Sequence, residues 1–238
     1  MSDKQAGNKK MKILDVGCGS NKSKSEGDEV IGIDFDKRLK PDVVWDLNNI
    51  PYPFKDSEFD EITSTHCIEH LNYSSKDPDD ILKELWRITK HNGLIKIKVP
   101  HFSSTAAWGH WQHKRPFAAF ASILHINDKL KDYFKIEKME LHYATTYSTD
   151  AKKTLSKVID FFANMNLWFC ERMWLYYVGG FQEVEMWLKV RKSDETDKCE
   201  ANEKAWKYHR GCPKRWSCKR MNSEQCNETY AEMKSRIY

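Results

Sequence analysis

The sequence predicts an α/β domain built on a doubly wound parallel sheet, and three observations lead to this prediction. Short β-branched and apolar runs alternate with amphipathic segments through the first hundred of the 238 residues. A glycine-rich elbow, "DVGCGSNK", directly follows the first of these runs. Several later runs end in an acidic residue or a histidine. Strands that alternate with helices at this spacing form right-handed βαβ units, whose strands lie parallel in one sheet.

Five runs in the first half have the composition of buried strands. They cover residues 11–16, 29–34, 42–47, 59–66 and 94–100. Two helices are predicted between the fourth and fifth runs, at residues 67–71 and 79–93. The second has a single apolar stripe, and Asn92-Gly93 is a typical signal for its C-terminal end.

After residue 100 the pattern changes. Residues 133–147 and 183–192 are typical of two further strands, and the stretch between them, roughly 151–177, is helical and rich in aromatic residues. We expect the segments within about 101–125 and 145–182 to form a helical and aromatic cover on the sheet.

The last part of the chain has a different composition. From residue 193 onward lysine, arginine, glutamate and cysteine dominate, and the apolar periodicity fades. The sequence therefore predicts one domain over residues 1–192 and a C-terminal appendage over residues 193–238. Basic and aromatic residues alternate there in "KAWKYHRGCPKRWSCKR", a composition that single-stranded nucleic acid favours.

Composition excludes few functions. With 40% hydrophobic and 31% charged residues the chain is ordinary for a globular protein, and a net charge of +4 does not by itself indicate nucleic-acid binding. The first residues lack the apolar segment of a signal peptide, and no apolar run is long enough to span a bilayer. Seven cysteines fit no regular disulfide framework. These features predict a cytoplasmic protein without a transmembrane segment.

The elbow is the first candidate ligand site. Gly17 and Gly19 match the first two glycines of the dinucleotide pattern G-x-G-x-x-G, but Lys22 stands where the third is expected, which argues against NAD or FAD. Asp15 lies two residues before the elbow, at the carboxyl edge of the predicted sheet. A carboxylate there repels a diphosphate and attracts an ammonium or a sulfonium. S-adenosylmethionine carries both groups and no phosphate.

Further side chains at strand ends fit the rest of this nucleoside. Asp34 ends the second run and is placed to bind the two ribose hydroxyls, and Phe35 is placed to pack on adenine. Asp46 ends the third run and is placed to accept a hydrogen bond from the adenine amino group, beside the Leu47 backbone. Each acid alone is typical of a solvated loop, but their order and positions favour one site.

The motifs "LDVGCG", "GIDFD", "DLNNIPYPFKDSEFDEI" and "CIEHL" resemble the consecutive motifs of class I S-adenosylmethionine-dependent methyltransferases, and most closely those of methyltransferase type 11. The resemblance covers about residues 11–100. It implies a Rossmann-like seven-stranded sheet with helices on both faces, and S-adenosylmethionine as cofactor. The cofactor contacts it implies are Asp15, Gly17, Cys18, Gly19, Asp34, Phe35, Asp46, Leu47 and His66. Asn21 is a departure, since many relatives have a small residue there.

Methyl transfer is an in-line displacement, so the protein must align the reactants and remove a proton only where the nucleophile carries one. His66 and His101 follow the fourth and fifth strands and are the preferred candidates for a general base. The alternative for each is a histidine that satisfies backbone carbonyls. Glu69 and His70 come directly afterwards and are candidates for orienting another group.

A metal ion is an alternative interpretation of the same histidines. His110 and His113 lie near the predicted site in "WGHWQH", and imidazole is a good ligand for zinc, iron or nickel. The ligand spacing is irregular, so the sequence assigns no metal ligand. The tail has four cysteines but no C-x-x-C pair, and no zinc site is assigned there either. These cysteines are Cys199, Cys212, Cys218 and Cys226.

The predicted function is methyl transfer to an oxygen or nitrogen nucleophile of a small-molecule, lipid or glycan acceptor. Two alternatives stay open: an RNA or protein methyltransferase that docks through its basic tail, and a cofactor-binding partner subunit without activity. The sequence "STHC" after the fourth strand lacks the Asn/Asp-Pro-Pro-aromatic signature of enzymes that methylate base or glutamine amides. A homodimer is also compatible with the aromatic cover.

Overall fold

The computed structural model describes residues 10–23, 25–71, 78–145, 148–177 and 180–192. The predicted appendage over residues 193–238, with its four cysteines and its alternating basic and aromatic residues, lies outside the described residues. Among the described residues, no helix combines the length and the apolar character that crossing a bilayer requires.

Seven strands form one sheet in the order β3-β2-β1-β4-β5-β7-β6. Strands β1 to β5 lie parallel to one another, whereas β7 runs antiparallel to both β5 and β6. The strands are β1 Lys12–Val16, β2 Glu29–Asp34, β3 Val43–Val44, β4 Phe59–Thr65, β5 Thr89–Pro100, β6 Phe134–His142 and β7 Glu183–Val190. This arrangement confirms the predicted Rossmann-like fold with seven strands.

The centre of the sheet is buried because its strands carry apolar side chains on both faces. Leu14, Ile62 and Ile95 on the three central strands have no exposed surface. Such strands have continuous apolar runs, which made them recognisable in the sequence. Their carboxyl ends meet at one edge, where ligands of open α/β sheets bind.

The helices are α1 Pro78–Ile88, α2 Thr105–Gly109, α3 Ala119–Lys129, α4 Asp150–Met165, α5 Leu167–Phe169 and α6 Leu175–Tyr177, with 3₁₀ turns at Lys37–Leu39 and Ile68–His70 and a π-helical segment at Cys170–Trp174. Helix α2 and the first part of α3 lie within the first predicted cover segment, α3 continues beyond it to Lys129, and α4–α6 lie within the second. Helix α3 was not predicted, although its buried residues Ala119, Ile123 and Ile126 have helical spacing.

Some predicted boundaries were wrong. Helix α1 ends at Ile88, not at Asn92-Gly93, because β5 already begins at Thr89. Asn92 adopts a left-handed conformation with φ 61°, and the register of β4 against β5 shifts between Phe59 and Glu61. The Asn-Gly pair is therefore an irregularity inside a strand. The predicted helix at 67–71 is only a 3₁₀ turn, and the predicted third strand shortens to two residues.

Candidate active site

The elbow after β1 adopts the turn that its glycines predict. Gly17 has φ +70° and Gly19 has φ +56°, values that favour glycine. The backbone N–H groups of Gly17 and Cys18 donate to the carbonyl of Ile33 at 2.9 and 3.3 Å, which fastens the elbow to β2. A Cβ atom on Gly17 would collide with the side chain of Cys67. Only glycine therefore lets the elbow pack directly against the segment that follows β4.

The two predicted acids at this edge are buried and hold the backbone of the site. Asp15 is 5% exposed, and its Oδ2 atom accepts a hydrogen bond from the Ser23 N–H at 2.7 Å. Asp34 is 6% exposed and accepts from the N–H groups of Gly19 at 3.0 Å and Asp36 at 2.9 Å. Each carboxylate oxygen has a second lone pair for a ligand.

The remaining predicted cofactor residues follow β2 and β3. The Phe35 ring is 73% exposed, so its face is free to pack on a planar ligand. Asp46 lies two residues beyond β3, and its Oδ1 atom accepts from the Asn48 N–H at 2.9 Å. Leu47 is buried and its carbonyl accepts from the Tyr52 hydroxyl at 3.0 Å.

Acidic side chains surround the thiol of the elbow residue Cys18. Burial raises the pKa of the Cys18 thiol to about 11, and the charges of Asp15, Asp34 and Asp42 add to the rise. The same charges disfavour a phosphate and favour a cation. The edge therefore fits S-adenosylmethionine, which is cationic and phosphate-free, and disfavours a dinucleotide.

His66 follows β4 and has a strained backbone. Its φ is +52°, and its N–H donates to the Lys98 carbonyl at 2.9 Å. A left-handed conformation is uncommon for a residue with a side chain and often occurs at functional sites. It is stabilised here by the parallel pairing of β4 and β5.

The His66 imidazole lies between two buried carboxylates. Its Nε2 atom is 2.8 Å from Glu183 Oε1, and its Nδ1 atom is 3.3 Å from Glu69 Oε1. Burial by itself would lower the pKa of His66, but the adjacent carboxylates of Glu183 and Glu69 outweigh it and raise the pKa to about 9. His66 is thus an imidazolium at neutral pH.

Glu69 is the least solvated of the charged groups around His66. It is 1% exposed, and both of its carboxylate oxygens lack a hydrogen-bond partner among the described residues, although His66 lies at ion-pair distance. A buried carboxylate with unused lone pairs is costly unless something else binds it. Because Glu69 follows Cys67 closely, it also lies near the glycine elbow.

A pocket of about 500 Å³ opens beside these groups. Its size is within the range of about 300–1,000 Å³ that is typical of ligand sites. Acidic and imidazole side chains line one part, and small or hydroxyl-bearing residues line another. The lining residues are His66, Glu69, His70, Pro100, Thr105, Ala106, Gly109, His110, His113, Thr145, Gln182 and Glu183.

His101 lies directly behind this pocket and is fully buried. Its Nδ1 atom contacts the Ser103 hydroxyl at 2.6 Å, and its Nε2 atom contacts Glu171 at 2.9 Å. Glu171 also accepts from the N–H groups of Ala119 and Phe120, at 2.6 and 2.9 Å, and so caps helix α3. With both ring nitrogens occupied, His101 joins β5 to the cover.

His70 is in contact with two more histidines at the pocket wall. The ring centroids of His70 and His113 are 4.6 Å apart, those of His110 and His113 are also 4.6 Å apart, and those of His70 and His110 are 5.4 Å apart. Burial and the neighbouring His70 lower the pKa of His113. The sequence placed these residues near the site but did not show that they meet.

Glu183 and Glu171 are the residues that sequence reasoning missed. Glu183 begins β7 and reaches the site because it pairs with Pro100 across the antiparallel ladder. A charged residue before an apolar strand is common, so the sequence contained no specific signal for it. Glu171 lies in the aromatic segment, where an acid among aromatic residues is a weak signal of a buried partner.

The sequence also matches a known family. Residues 14–97 match the family model described as a methyltransferase domain. A comparison with curated proteins gave no match. The matched segment contains the elbow, both buried acids and the turn that carries His66 and Glu69.

Solved structures with the same fold include several methyltransferases. A SAM-dependent methyltransferase from Archaeoglobus fulgidus is 21% identical, with a TM-score of 0.53 over 76% of this chain and 86% of that chain. An S-adenosylmethionine-dependent methyltransferase from Mesorhizobium loti is 15% identical, with a TM-score of 0.50 over 76% and 91%. A methyltransferase solved in complex with the Haloferax volcanii Trm112 methyltransferase activator is 14% identical, with a TM-score of 0.50 over 78% and 84%. At these identities the likeness establishes the fold.

The match over residues 14–97 indicates a methyltransferase domain of type 11 in this part of the chain. The sheet order and the acidic elbow agree with that class, and S-adenosylmethionine is the cofactor that it implies.

Proposed function

We propose that this enzyme methylates an oxygen or nitrogen nucleophile of a small-molecule, lipid-like or glycan acceptor that binds in the pocket beside His66. The observation that carries the proposal is the Glu69 carboxylate, which is buried, has no hydrogen bond within the described part of the chain apart from its ion pair with His66, and lines a pocket of about 500 Å³. The contact between Cys67 and the Gly17 elbow brings this pocket next to the cofactor edge.

Three acids and the elbow would hold the cofactor. Asp34 would bind the ribose, Asp46 the adenine edge, and Asp15 with the backbone of Gly17 and Gly19 the cationic methionine end. When bound, S-adenosylmethionine would supply an electrophilic methyl group: the nucleophile would bond to the methyl carbon in line as the carbon–sulfur bond breaks and S-adenosylhomocysteine leaves. Phe35 offers an exposed ring for adenine packing.

Glu69 is our candidate for the proton acceptor. As the methyl group moves to the acceptor, the acceptor's O–H or N–H proton passes to a Glu69 oxygen, so that no alkoxide or protonated product builds up. His66 is already protonated at neutral pH, so it does not act as the base in this state. Its positive charge instead lies between the carboxylates of Glu69 and Glu183. We assign His101 a positioning role because both its ring nitrogens are occupied.

Two exposed tryptophans favour an acceptor with a flat or apolar part. Trp108 is 68% exposed and Trp111 is 98% exposed, and they flank Gly109 and His110 of the pocket lining. Exposed indole rings pack well on sugar faces and lipid chains. Thr105 and Thr145 on the same pocket provide hydroxyls for a polar group of the acceptor.

The test uses S-adenosylmethionine with a labelled methyl group and a fractionated cell extract. We expect the label in a low-molecular-mass, lipid or glycan fraction. We expect Glu69→Gln to lower turnover of that acceptor by about 100-fold or more while cofactor affinity, measured by calorimetry, stays unchanged. Glu61→Gln is the matched control, because Glu61 on β4 pairs with Lys96 on the neighbouring strand β5 and does not line the pocket.

Other outcomes would overturn the proposal. Label in RNA or protein would favour an enzyme that docks a macromolecule. Intact cofactor binding without turnover of any fraction would favour a partner subunit without activity. Full activity of Glu69→Gln would refute the role of Glu69 alone.

A further inference from the structure

The wall of the pocket contains a cluster of three imidazole rings. His70, His110 and His113 each offer a ring nitrogen, and these atoms lie within 4.8 Å of one another. His70 comes from the turn after β4, and the other two come from the segment after α2. The rings therefore meet through tertiary structure, from residues about forty positions apart in the sequence.

The backbone holds this geometry in place. The Lys114 N–H donates to the Glu69 carbonyl at 2.8 Å, and the His113 N–H donates to the His110 carbonyl at 3.1 Å. The His70 Nδ1 atom lies 3.4 Å from the Gln112 carbonyl, an arrangement in which Nδ1 carries the proton and Nε2 keeps its lone pair. A hydrogen bond from the far nitrogen to a carbonyl is how proteins orient histidines that bind metals.

Packing alone does not account for the cluster. The Nδ1 atom of His113 is buried without a hydrogen-bond partner among the described residues. Three imidazole rings that contact one another through their faces and edges also provide few hydrogen bonds for their ring nitrogens. The Glu69 carboxylate, also without a hydrogen bond, lies 4.0 Å from His113 Nε2. A buried carboxylate beside three clustered imidazoles favours a cation between or next to them.

We propose that His70, His110 and His113 bind one divalent first-row transition-metal ion, such as zinc or cobalt, at the wall of the acceptor pocket. Neutral imidazole suits these ions, whereas magnesium and calcium prefer oxygen ligands. Three protein ligands leave at least one coordination position open. Because the site lines the pocket, that position is available to an oxygen or nitrogen of the acceptor, an assignment that rests on the proposed function.

A second group with metal-binding residues does not support the same inference. Glu140, His142 and Glu185 also lie close together. There, however, His142 pairs with Glu185 at 2.9 Å, and Lys98 and Lys138 lie near the same carboxylate at 3.6 and 3.7 Å. These ion pairs satisfy the charges, so that group needs no metal ion.

Cobalt titration of the full-length protein tests the proposal without an acceptor. Cobalt bound by imidazole and water gives weak visible bands, whereas thiolate ligands add strong charge-transfer absorption in the near ultraviolet, so the spectrum separates this site from the cysteines of the tail. We expect saturation at one visible-band site per chain. His110→Asn should weaken that binding by about 100-fold or more.

His125→Asn is the matched control, because His125 is a half-exposed histidine on α3 that pairs with Asp79 outside the cluster. Its cobalt binding should match that of the wild type. His110 is exposed, so its variant should fold, and circular dichroism checks this. Absence of saturable visible bands, or bands that persist unchanged in His110→Asn, would overturn the proposal. Methylation assays with and without a chelator then test acceptor coordination separately: equal rates would refute that part alone.

Discussion

Nε2 of His66 lies 2.8 Å from Oε1 of Glu183, although the two residues are 117 positions apart in the sequence. The pair links the end of a parallel strand to the beginning of the antiparallel strand β7. With Glu69 on its other side, His66 supplies the positive charge that lets two buried carboxylates share one small region. Four predictions test this arrangement and the cofactor edge.

The first prediction concerns the charge balance around His66. His66→Gln removes the imidazolium and leaves Glu69 and Glu183 buried without a cation between them, so we expect the free energy of unfolding to fall by roughly 3–5 kcal/mol. Denaturant unfolding measures this. Glu183→Gln in the same chain removes one of the repelling charges and should restore part of the loss. A double variant as unstable as the sum of the two single variants would show that the charges do not interact.

The second prediction concerns pH. The pKa values of His66 and His142 both rise from 6.5 to about 9 because hydrogen-bonded carboxylates outweigh the effect of burial. The stability they contribute is therefore complete below about pH 6.5 and is lost as pH rises through about 9. We expect the free energy of unfolding to fall across this interval by at most about 3 kcal/mol for each histidine.

Variants separate the two contributions. His66→Gln and His142→Gln should each remove part of the pH dependence, and the double variant should remove most of it. The measurement is denaturant unfolding at a series of pH values. A slope in the double variant equal to that of the wild type would contradict the assignment.

The third prediction concerns the elbow. Gly17→Ala places a Cβ against the Cys67 side chain and leaves alanine at φ +70°, so we expect a loss of roughly 1–3 kcal/mol in stability and weaker cofactor binding. Cys67→Gly combined with Gly17→Ala should be less destabilised than the sum of the single changes, because it removes both the Sγ and the Cβ atom that the new side chain meets but not the backbone strain. Thermal unfolding of the four proteins provides the comparison, and strict additivity would refute the contact.

The fourth prediction concerns Asp34. Asp34→Ala removes the acceptor for the Gly19 and Asp36 N–H groups as well as the proposed ribose contact, so affinity for S-adenosylhomocysteine should fall about tenfold or more in calorimetry. Asp36→Asn is the control in the same turn, since Asp36 pairs with Arg38. Equal affinities of Asp34→Ala and the wild type would show that Asp34 does not contribute to cofactor binding.

The meeting of the elbow and the two buried acids at one edge of the sheet was predictable because its signals are local. Asp15, Asp34 and the glycine elbow each lie at the end of an apolar run, and parallel strands bring such ends together whatever the loops between them do. The His66–Glu183 pair was not predictable, because it depends on the register of β7 against β5. The meeting of His70 with His113 likewise depends on a backbone hydrogen bond from Lys114 to the turn after β4.

One local sequence signal, the Asn92-Gly93 pair, led to a wrong prediction of where a helix ends. Asn92-Gly93 is a common helix-stop pair, but here the strand has already begun and the pair accommodates an irregularity within it. The pairing of β4 with β5 outweighed the turn preference of these two residues, as tertiary contacts often do.

Glu171 has a consequence for how molecules enter the enzyme. The Glu171 carboxylate caps α3 and also holds the His101 ring at the end of β5. If the segment that carries Glu171 moved away, two N–H groups and an imidazole would lose their hydrogen-bond partner in an apolar interior. The cover is thus fastened at the end of β5, and opening it as a hinged lid would be costly. We expect ligands to enter and leave the pocket beside Trp108 and Trp111 instead, where the side chains are exposed to solvent.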